Sequence, residues 1–305
     1  MKKMNSEKKI EELKKDAPEQ VKKTYEEIKK LNIQGATDVA LEAARSLKKI
    51  EEKQELKKSI ELLKRSRPTE PMMRNGLRYI KSKHGEGKET ERAVKEFEEM
   101  VQDSVKEITK KGAKYLPEET SIMTHCHSSL VEKIITKADE KGKIEKVIAP
   151  ETRPKYQGRT TAKKLAEKGV DVTVCVDSAK IEMLEEADLA MVGADVITSD
   201  SYLFNKIGTH ELALSANVMK GKSFLVATQL LKIAPETLEG KREEVEERNP
   251  EEVWKNPPDG VKIRNPAFDA TPPKYINSMV TEHGIIHPFN AIDNARRKYP
   301  WIFEE

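Results

Sequence analysis

Residues 121–176 read SIMTHCHSSLVEKIITKADEKGKIEKVIAPETRPKYQGRTTAKKLAEKGVDVTVCV, and their texture decides the fold. Three short apolar runs, SIMTHC (121–126), KVIAPE (146–151) and DVTVCV (171–176), alternate with amphipathic stretches over 129–140 and 160–168. The alternation continues through LAMVGADVI (189–197) and SFLVAT (223–228), with helix-like segments at 179–186 and 211–219. Strand–helix alternation of this kind builds a parallel sheet covered by helices on both faces. Ligands of such sheets sit beyond the carboxyl ends of the strands, near a reversal in strand order.

Upstream of this block the pattern is different. Up to about residue 115 nearly everything reads as helix, with Leu41, Ala44, Leu47 and Ile50 at three-residue spacing and a last helical run over 89–111. Breaks fall at 32–37, at 66–71, where two prolines interrupt, and at 83–88. The expectation is an α/β protein with a helical N-terminal domain over 1–115 and a parallel-sheet domain over 116–305. Residues 234–259 are polar and proline-bearing and read as a loop around a short helix.

Composition narrows the functional classes. Charged residues reach 36% and aromatics 5%, but 56 Lys and Arg offset 53 Asp and Glu to leave a net charge of +3. That balance suits solvated helices with interleaved Glu and Lys rather than disorder. No basic stretch with interleaved aromatics points to nucleic acid. No apolar run approaches the ~18 residues of a membrane span, and the charged start MKKMNSEKKIEELKK has no apolar signal core. Cys126 and Cys175 are too few for a disulfide framework, which fits a reducing, cytoplasmic setting.

Three strand-to-helix junctions carry the candidate chemistry. THCHSS (124–129) places Cys126 at the sheet edge beside a helix start, where amides and the helix dipole lower a thiol's pKa. Ser128 and Ser129 suit either a helix cap or a phosphate. Local sequence leaves Cys126 open as a base or as a small packing residue, whereas Cys175 reads as packing. MVGADVITSDSYLFNKIGT (191–209) sets Asp195 at a second strand end, with Asn205 and Lys206 ten residues on. Those groups suit proton transfer at Asp195 and phosphate at Lys206, or equally a cap and a solvated amine. In ETRPKYQGRTT (151–161), Arg153 reads as a ligand contact or, slightly preferred, an ion pair with Glu151, and Gly158 allows close backbone approach.

His125 and His127 flank Cys126, but neighbours on an extended segment point alternately up and down, so no metal is expected. No GxGxxG, GxxxxGK[ST] or GxSxG pattern occurs at these junctions, so no nucleotide cofactor is expected either.

Six motifs in order complete the pattern: IQGATDVALEAA (33–44), SRPTEP (66–71), MTHCHSS (123–129), ETRPKYQG (151–158), GAD with NKIGT (193–195, 205–209) and NPAFDATPPKYI (265–276). Together they resemble the archaeal ribose-1,5-bisphosphate isomerases, relatives of methylthioribose-1-phosphate isomerases and of the regulatory subunits of translation initiation factor 2B. The resemblance implies a Rossmann-like C-terminal domain and assembly as a homodimer or a homohexamer (a trimer of dimers). It implies conversion of a small sugar bisphosphate, ribose 1,5-bisphosphate, to ribulose 1,5-bisphosphate, linking AMP breakdown to RuBisCO. It puts the proton acceptor on Cys126 and the proton donor on Asp195. Substrate contacts fall on Gln34, Gly35, Ala36, Thr37, Arg67, Ser128, Ser129, Asn205, Lys206 and Lys232.

Two departures stand out. Gln34 occupies the place of an arginine, losing a bidentate phosphate bond worth about 1.5–3 kcal/mol. Asp200 and Ser201 replace an Asn-Gly turn. A non-catalytic regulatory subunit and a methylthioribose-1-phosphate isomerase are the alternatives. The first is disfavoured by Cys126, which regulatory relatives generally lack, and the second by the SRPTEP and HCHSS forms.

Overall fold

The computed structural model describes residues 2–240, 243 and 245–304. The chain divides into two compact units: Met1–Asp103 with Leu231–Ile233 and Ala295–Glu305, and Ser104–Leu230 with Ala234–Asn294. The division falls inside one long helix rather than at the change of texture near residue 115, and the last residues return to the helical unit.

The helical unit contains α1 (Lys2–Asp16), α2 (Glu19–Lys29), α3 (Ala36–Arg45), α4 (Lys53–Lys64), α5 (Pro71–Gly85) and the first half of α6 (Thr90–Tyr115). Helix α2 buries Val21, Tyr25 and Ile28, one face at i, i+4 and i+7. Glu52 starts α4 by accepting from the backbone N–H groups of Gln54 at 2.9 Å and Glu55 at 2.5 Å. Pro71 opens α5, where its missing N–H costs nothing. A Cβ on Gly76 would lie 2.4 Å from the Phe97 ring, so α5 and α6 meet at a point only glycine allows. Buried Asn75 donates to the Leu231 and Ile233 carbonyls at 2.9 and 2.8 Å, drawing that short segment into this unit.

The second unit holds β1 (Thr120–Met123), α7 (Ser129–Asp139), β2 (Ile144–Pro150), α8 (Gln157–Ala166), β3 (Val172–Cys175), α9 (Lys180–Leu184) and β4 (Leu189–Val192). After these come β5 (Val196–Ile197), β6 (Leu203–Lys206), α10 (Thr209–Val218), β7 (Ser223–Ala227), β8 (Phe268–Thr271), β9 (Ser278–Thr281), β10 (Gly284–Ile286) and α11 (Ala291–Lys298). Seven strands form one sheet in the order β10-β9-β7-β4-β1-β2-β3. All its pairings are parallel except β9 with β10. The chain runs outward from β1 through β2 to β3, then returns to lay β4 on the other side of β1. Strand order therefore reverses between β1 and β4, which is where a doubly wound sheet opens a crevice. Both strands are buried along their whole length, and each buried Ile, Leu or Val adds about 1.5–3 kcal/mol.

Two features differ from the sequence expectation. The run LAMVGADVI is not one strand: β4 stays in the large sheet while β5 pairs with β6 in a separate antiparallel sheet, β5-β6-β8. The chain crosses between sheets at Gly193, Ala194 and Asp195. Strands β6, β8, β9 and β10 lie where no strand was expected, because runs of three or four residues carry too little periodicity. The polar stretch 234–259 contains 3₁₀ turns at Pro235–Glu239 and Pro250–Glu252, and its Lys241, Arg242 and Glu244 lie outside the described residues.

The close approach expected at Gly158 is present: a Cβ there would sit 1.7 Å from the Pro150 carbonyl oxygen. Gly158→Ala must pry α8 from the end of β2, and a loss of about 1–3 kcal/mol is expected in denaturant unfolding. Gly85→Ala, whose Cβ would meet nothing within 4 Å, is the control. Equal midpoints for the two variants would contradict this packing.

Candidate active site

Cys126 follows β1 with its backbone at φ +66°, in the left-handed region. For a residue with a side chain this costs about 1–3 kcal/mol. Both of its peptide groups are held by threonines, one in the β2–α8 junction and one within α8. The Cys126 N–H donates to Thr152 Oγ1 at 3.0 Å, and the Thr161 hydroxyl donates to the Cys126 carbonyl at 2.8 Å. Thr152 is itself left-handed, at φ +59°. Asp177 accepts from the N–H groups of Thr152 and Arg153 at 2.8 and 2.7 Å. His127 Nδ1 lies 3.0 Å from Thr161 Oγ1 and its Nε2 lies 3.2 Å from Lys164 Nζ. Because the threonine proton points at Cys126, His127 must carry its own proton on Nδ1 and accept from Lys164 on Nε2. Ser128 caps α7 by accepting from the Val131 N–H at 3.4 Å, and Ser129 is the exposed first residue of that helix.

Asp195 lies three residues beyond β4, the parallel neighbour of β1. The two junctions touch, since a Cβ on Gly193 would fall 2.6 Å from Ser128 Oγ. Half-buried Asp195 donates its N–H to the Phe204 carbonyl at 3.0 Å, tying it to β6. Asn205 and Lys206 are on that strand. The buried Asn205 amide donates to Thr209 Oγ1 at 3.0 Å, and the Thr209 hydroxyl donates to the Lys206 carbonyl at 2.6 Å. Lys206 Nζ stands 5.1 Å from the centre of the Phe268 ring. Ser201 takes a left-handed conformation at φ +64°, and Asp200 accepts from the Thr198 hydroxyl at 2.5 Å. The Asp-Ser pair thus turns the chain where glycine was missing.

The thiol's electrostatics reverse one expectation. Burial pushes the Cys126 thiol up to about 11, against the Lys206 ammonium and the His127 N–H bond, which both pull it down. The Asp195 and Asp177 charges push it further up. The helix start beside Cys126 is therefore real but outweighed by desolvation, and the sulfur is a neutral thiol near pH 7. His125 is buried, and desolvation followed by the Lys180 charge lowers it to about 4, so it is neutral. Cys175 is half-buried on the edge strand β3, its thiol also raised by burial.

The remaining candidates belong to the helical unit. Gly35, at φ +87°, is the exposed N-cap of α3, with Ala36 buried and Thr37 half-buried behind it. The exposed Gln34 amide donates to the Leu31 carbonyl at 2.8 Å. Arg67 pairs with Glu70 at 3.2 Å, and its buried Nε meets no hydrogen-bond partner. Lys232 ends a 3₁₀ turn over Leu230–Lys232.

The expected Arg153–Glu151 pair is not formed. Glu151 instead meets Arg159, from the first turn of α8, at 2.7 Å. Arg153 bonds the Tyr156 hydroxyl and the Val253 carbonyl. Thr152, Thr161, Asp177 and His125 were missed as supports of Cys126. The threonines lie within the quoted ETRPKYQGRTT motif, but only the left-handed cysteine explains their use.

A family model for the initiation factor 2 subunit family matches residues 32–288, most of the chain. The chain belongs to that family. It is 38% identical over 297 residues to the ribose 1,5-bisphosphate isomerase of Methanocaldococcus jannaschii, covering 92% of this chain and 96% of that protein. It is 39% identical over 306 residues to the protein of the same name from Archaeoglobus fulgidus, covering 94% and 96%. Among solved structures, the Pyrococcus horikoshii translation initiation factor eIF-2B matches with a TM-score of 0.78 at 30% identity, over 89% of this chain and 98% of that one. The family thus includes proteins named as enzymes and proteins named as initiation factors, and the fold does not separate them.

A buried neutral thiol predicts a specific pH profile. In a Cys175→Ser background, the alkylation rate of Cys126 should keep rising beyond pH 9 toward the value of about 11. A plateau near pH 7 would show a free thiolate and overturn this electrostatic picture.

Proposed function

We propose that the chain is an aldose–ketose isomerase converting ribose 1,5-bisphosphate to ribulose 1,5-bisphosphate, with Cys126 and Asp195 as its acid–base pair. The observation that carries this reading is the meeting of the THC and GAD junctions where strand order reverses. There Asp195 and Lys206 both act on the thiol's charge. The two archaeal relatives named for this reaction, at 38% and 39% identity over nearly the whole chain, support the substrate class.

The reaction breaks one bond between heavy atoms, C1 to the ring oxygen, whose electron pair stays on oxygen, and otherwise moves only protons. Opening the ring needs a proton on the ring oxygen. A thiol that begins protonated supplies it and becomes a thiolate, stabilised by the Lys206 ammonium. That thiolate removes the proton from C2, leaving an enol phosphate across C1 and C2. Asp195, starting as a carboxylate, takes the proton of the C2 hydroxyl as the ketone forms and passes it to C1. Both groups end as they began, and no bond to phosphate is broken. A hydride shift from C2 to C1 is the competing route, and retention of the C2 hydrogen in product distinguishes it from exchange with solvent. Each acid or base contributes about 10²–10⁴-fold, so holding the substrate must supply much of the rest.

Phosphate contacts carry over as expectations to Ser128, Ser129, Asn205 and Lys206 in the sheet unit. In the helical unit they fall on Gln34, Gly35, Ala36, Thr37, Arg67 and Lys232. Arg67 is the best prepared, having a guanidinium N–H already desolvated and without a partner. The same reading places the product before RuBisCO, downstream of AMP breakdown, and takes the assembly to be a homodimer or a trimer of dimers.

Purified protein should convert the α-anomer of ribose 1,5-bisphosphate in a coupled assay and act far less on methylthioribose 1-phosphate. Cys126→Ser and Asp195→Asn should each lower kcat by about 10²–10⁴-fold or more while substrate still binds. Binding without turnover in the unaltered protein would favour a regulatory subunit instead. Arg67→Ala should raise KM by about tenfold or more with a smaller effect on kcat, as expected for a lost charged bond. An unchanged KM removes Arg67 from the site.

A further inference from the structure

The Cys126 and Lys206 segments come from opposite sides of the strand-order reversal, and a buried imidazole spans them. His125 Nε2 lies 2.8 Å from the Ile207 carbonyl oxygen. A carbonyl only accepts, so Nε2 carries the proton and Nδ1 is bare. His125 Nδ1 is buried and meets no hydrogen-bond partner, so a second proton there would have nothing to bond. The charges that bear on this ring are Lys180, Asp177 and Lys206.

The turn it holds is anchored at almost every polar atom. The Ile207 N–H donates to the Ala267 carbonyl at 3.0 Å. Lys180 donates to the Gly208 carbonyl at 3.0 Å, and Asp269 accepts from the Gly208 and His210 N–H groups at 2.7 and 3.1 Å. There is no slack around the imidazole either. A Cβ on Gly208 would lie 2.9 Å from Lys180 Nζ and 3.1 Å from His125 Nε2. The imidazole joins this rigid turn to the residue next to the thiol.

We propose that His125 is a positioning residue: by donating from Nε2 to the Ile207 carbonyl, it holds Lys206 beside the Cys126 thiol. The side chain transfers no proton. Its work is to fix the distance over which the ammonium stabilises developing thiolate. A histidine suits the place because its ring spans the gap rigidly and offers one donor while staying uncharged among two lysines. The catalytic meaning of this tie rests on the acid–base reading above, but the test uses no sugar, so the two can fail separately.

The test is thiol reactivity in a Cys175→Ser background, read as the rate of modification by methyl methanethiosulfonate at pH 8. His125→Ala and Lys206→Met should each slow Cys126 by about 3–10-fold, the effect of roughly half to one pKa unit. The double variant should be no slower than Lys206→Met alone, because the histidine acts through the lysine. His125→Gln, which keeps a donor near the Nε2 position, should restore most of the rate. A His125→Ala rate at or above the parent's, or single effects that multiply in the double variant, overturns the proposal. If His125→Ala fails to fold, ¹⁵N-histidine NMR of the unaltered protein decides. A neutral Nε2–H tautomer that does not titrate between about pH 5 and 9 supports the tie, and an Nδ1–H tautomer or a titration near 6.5 overturns it.

Discussion

Holding a residue with a side chain at φ +66° requires that its surroundings leave it no better choice, and at Cys126 they do so through its backbone. Thr152 takes its N–H and Thr161 serves its carbonyl. Each threonine is braced in turn, one by the Asp177 carboxylate at its own N–H and the other by a line running from Lys164 through His127. Four segments are thereby committed to one residue: the end of β1, the β2–α8 junction, the second turn of α8 and the turn before α9.

The magnitudes explain the state of the thiol. A helix N-terminus stabilises a nearby anion by about 0.3–1 kcal/mol, up to about 2 in partly buried geometries. Displacement of the thiol from 9.0 to about 11 corresponds to roughly 3 kcal/mol in the other direction. Removing the sulfur from water therefore wins, and the Lys206 charge softens the outcome without reversing it. Near neutral pH the buried sulfur therefore keeps its proton.

Much of this was legible in the residues. Strand–helix alternation from Ser121 exposed the parallel sheet, and the strand ends at Cys126 and Asp195 followed from it. The six motifs then pointed to family and substrate class together. Other features were hidden for physical reasons. Leu189–Ile197 is apolar apart from Asp195, so its periodicity does not mark where the chain leaves one sheet for another. Asn205 and Lys206 form a strand through pairing with Phe268 and Asp269, more than sixty positions away. No local pattern records such a partner. The thiol's protonation depends on how many atoms crowd it, which is a property of the folded core.

That second sheet has one further implication. The Asp195 N–H is bonded to the Phe204 carbonyl, and Asn205 and Lys206 follow on the same strand, so carboxylate, amide and ammonium share one small sheet. Their mutual spacing is set by the pairing of β6 with β5 and β8. The crossing that joins this small sheet to the large one has no room to spare, because a side chain at Gly193 would press on Ser128 Oγ. Change at the crossing is therefore felt at the start of α7 as well.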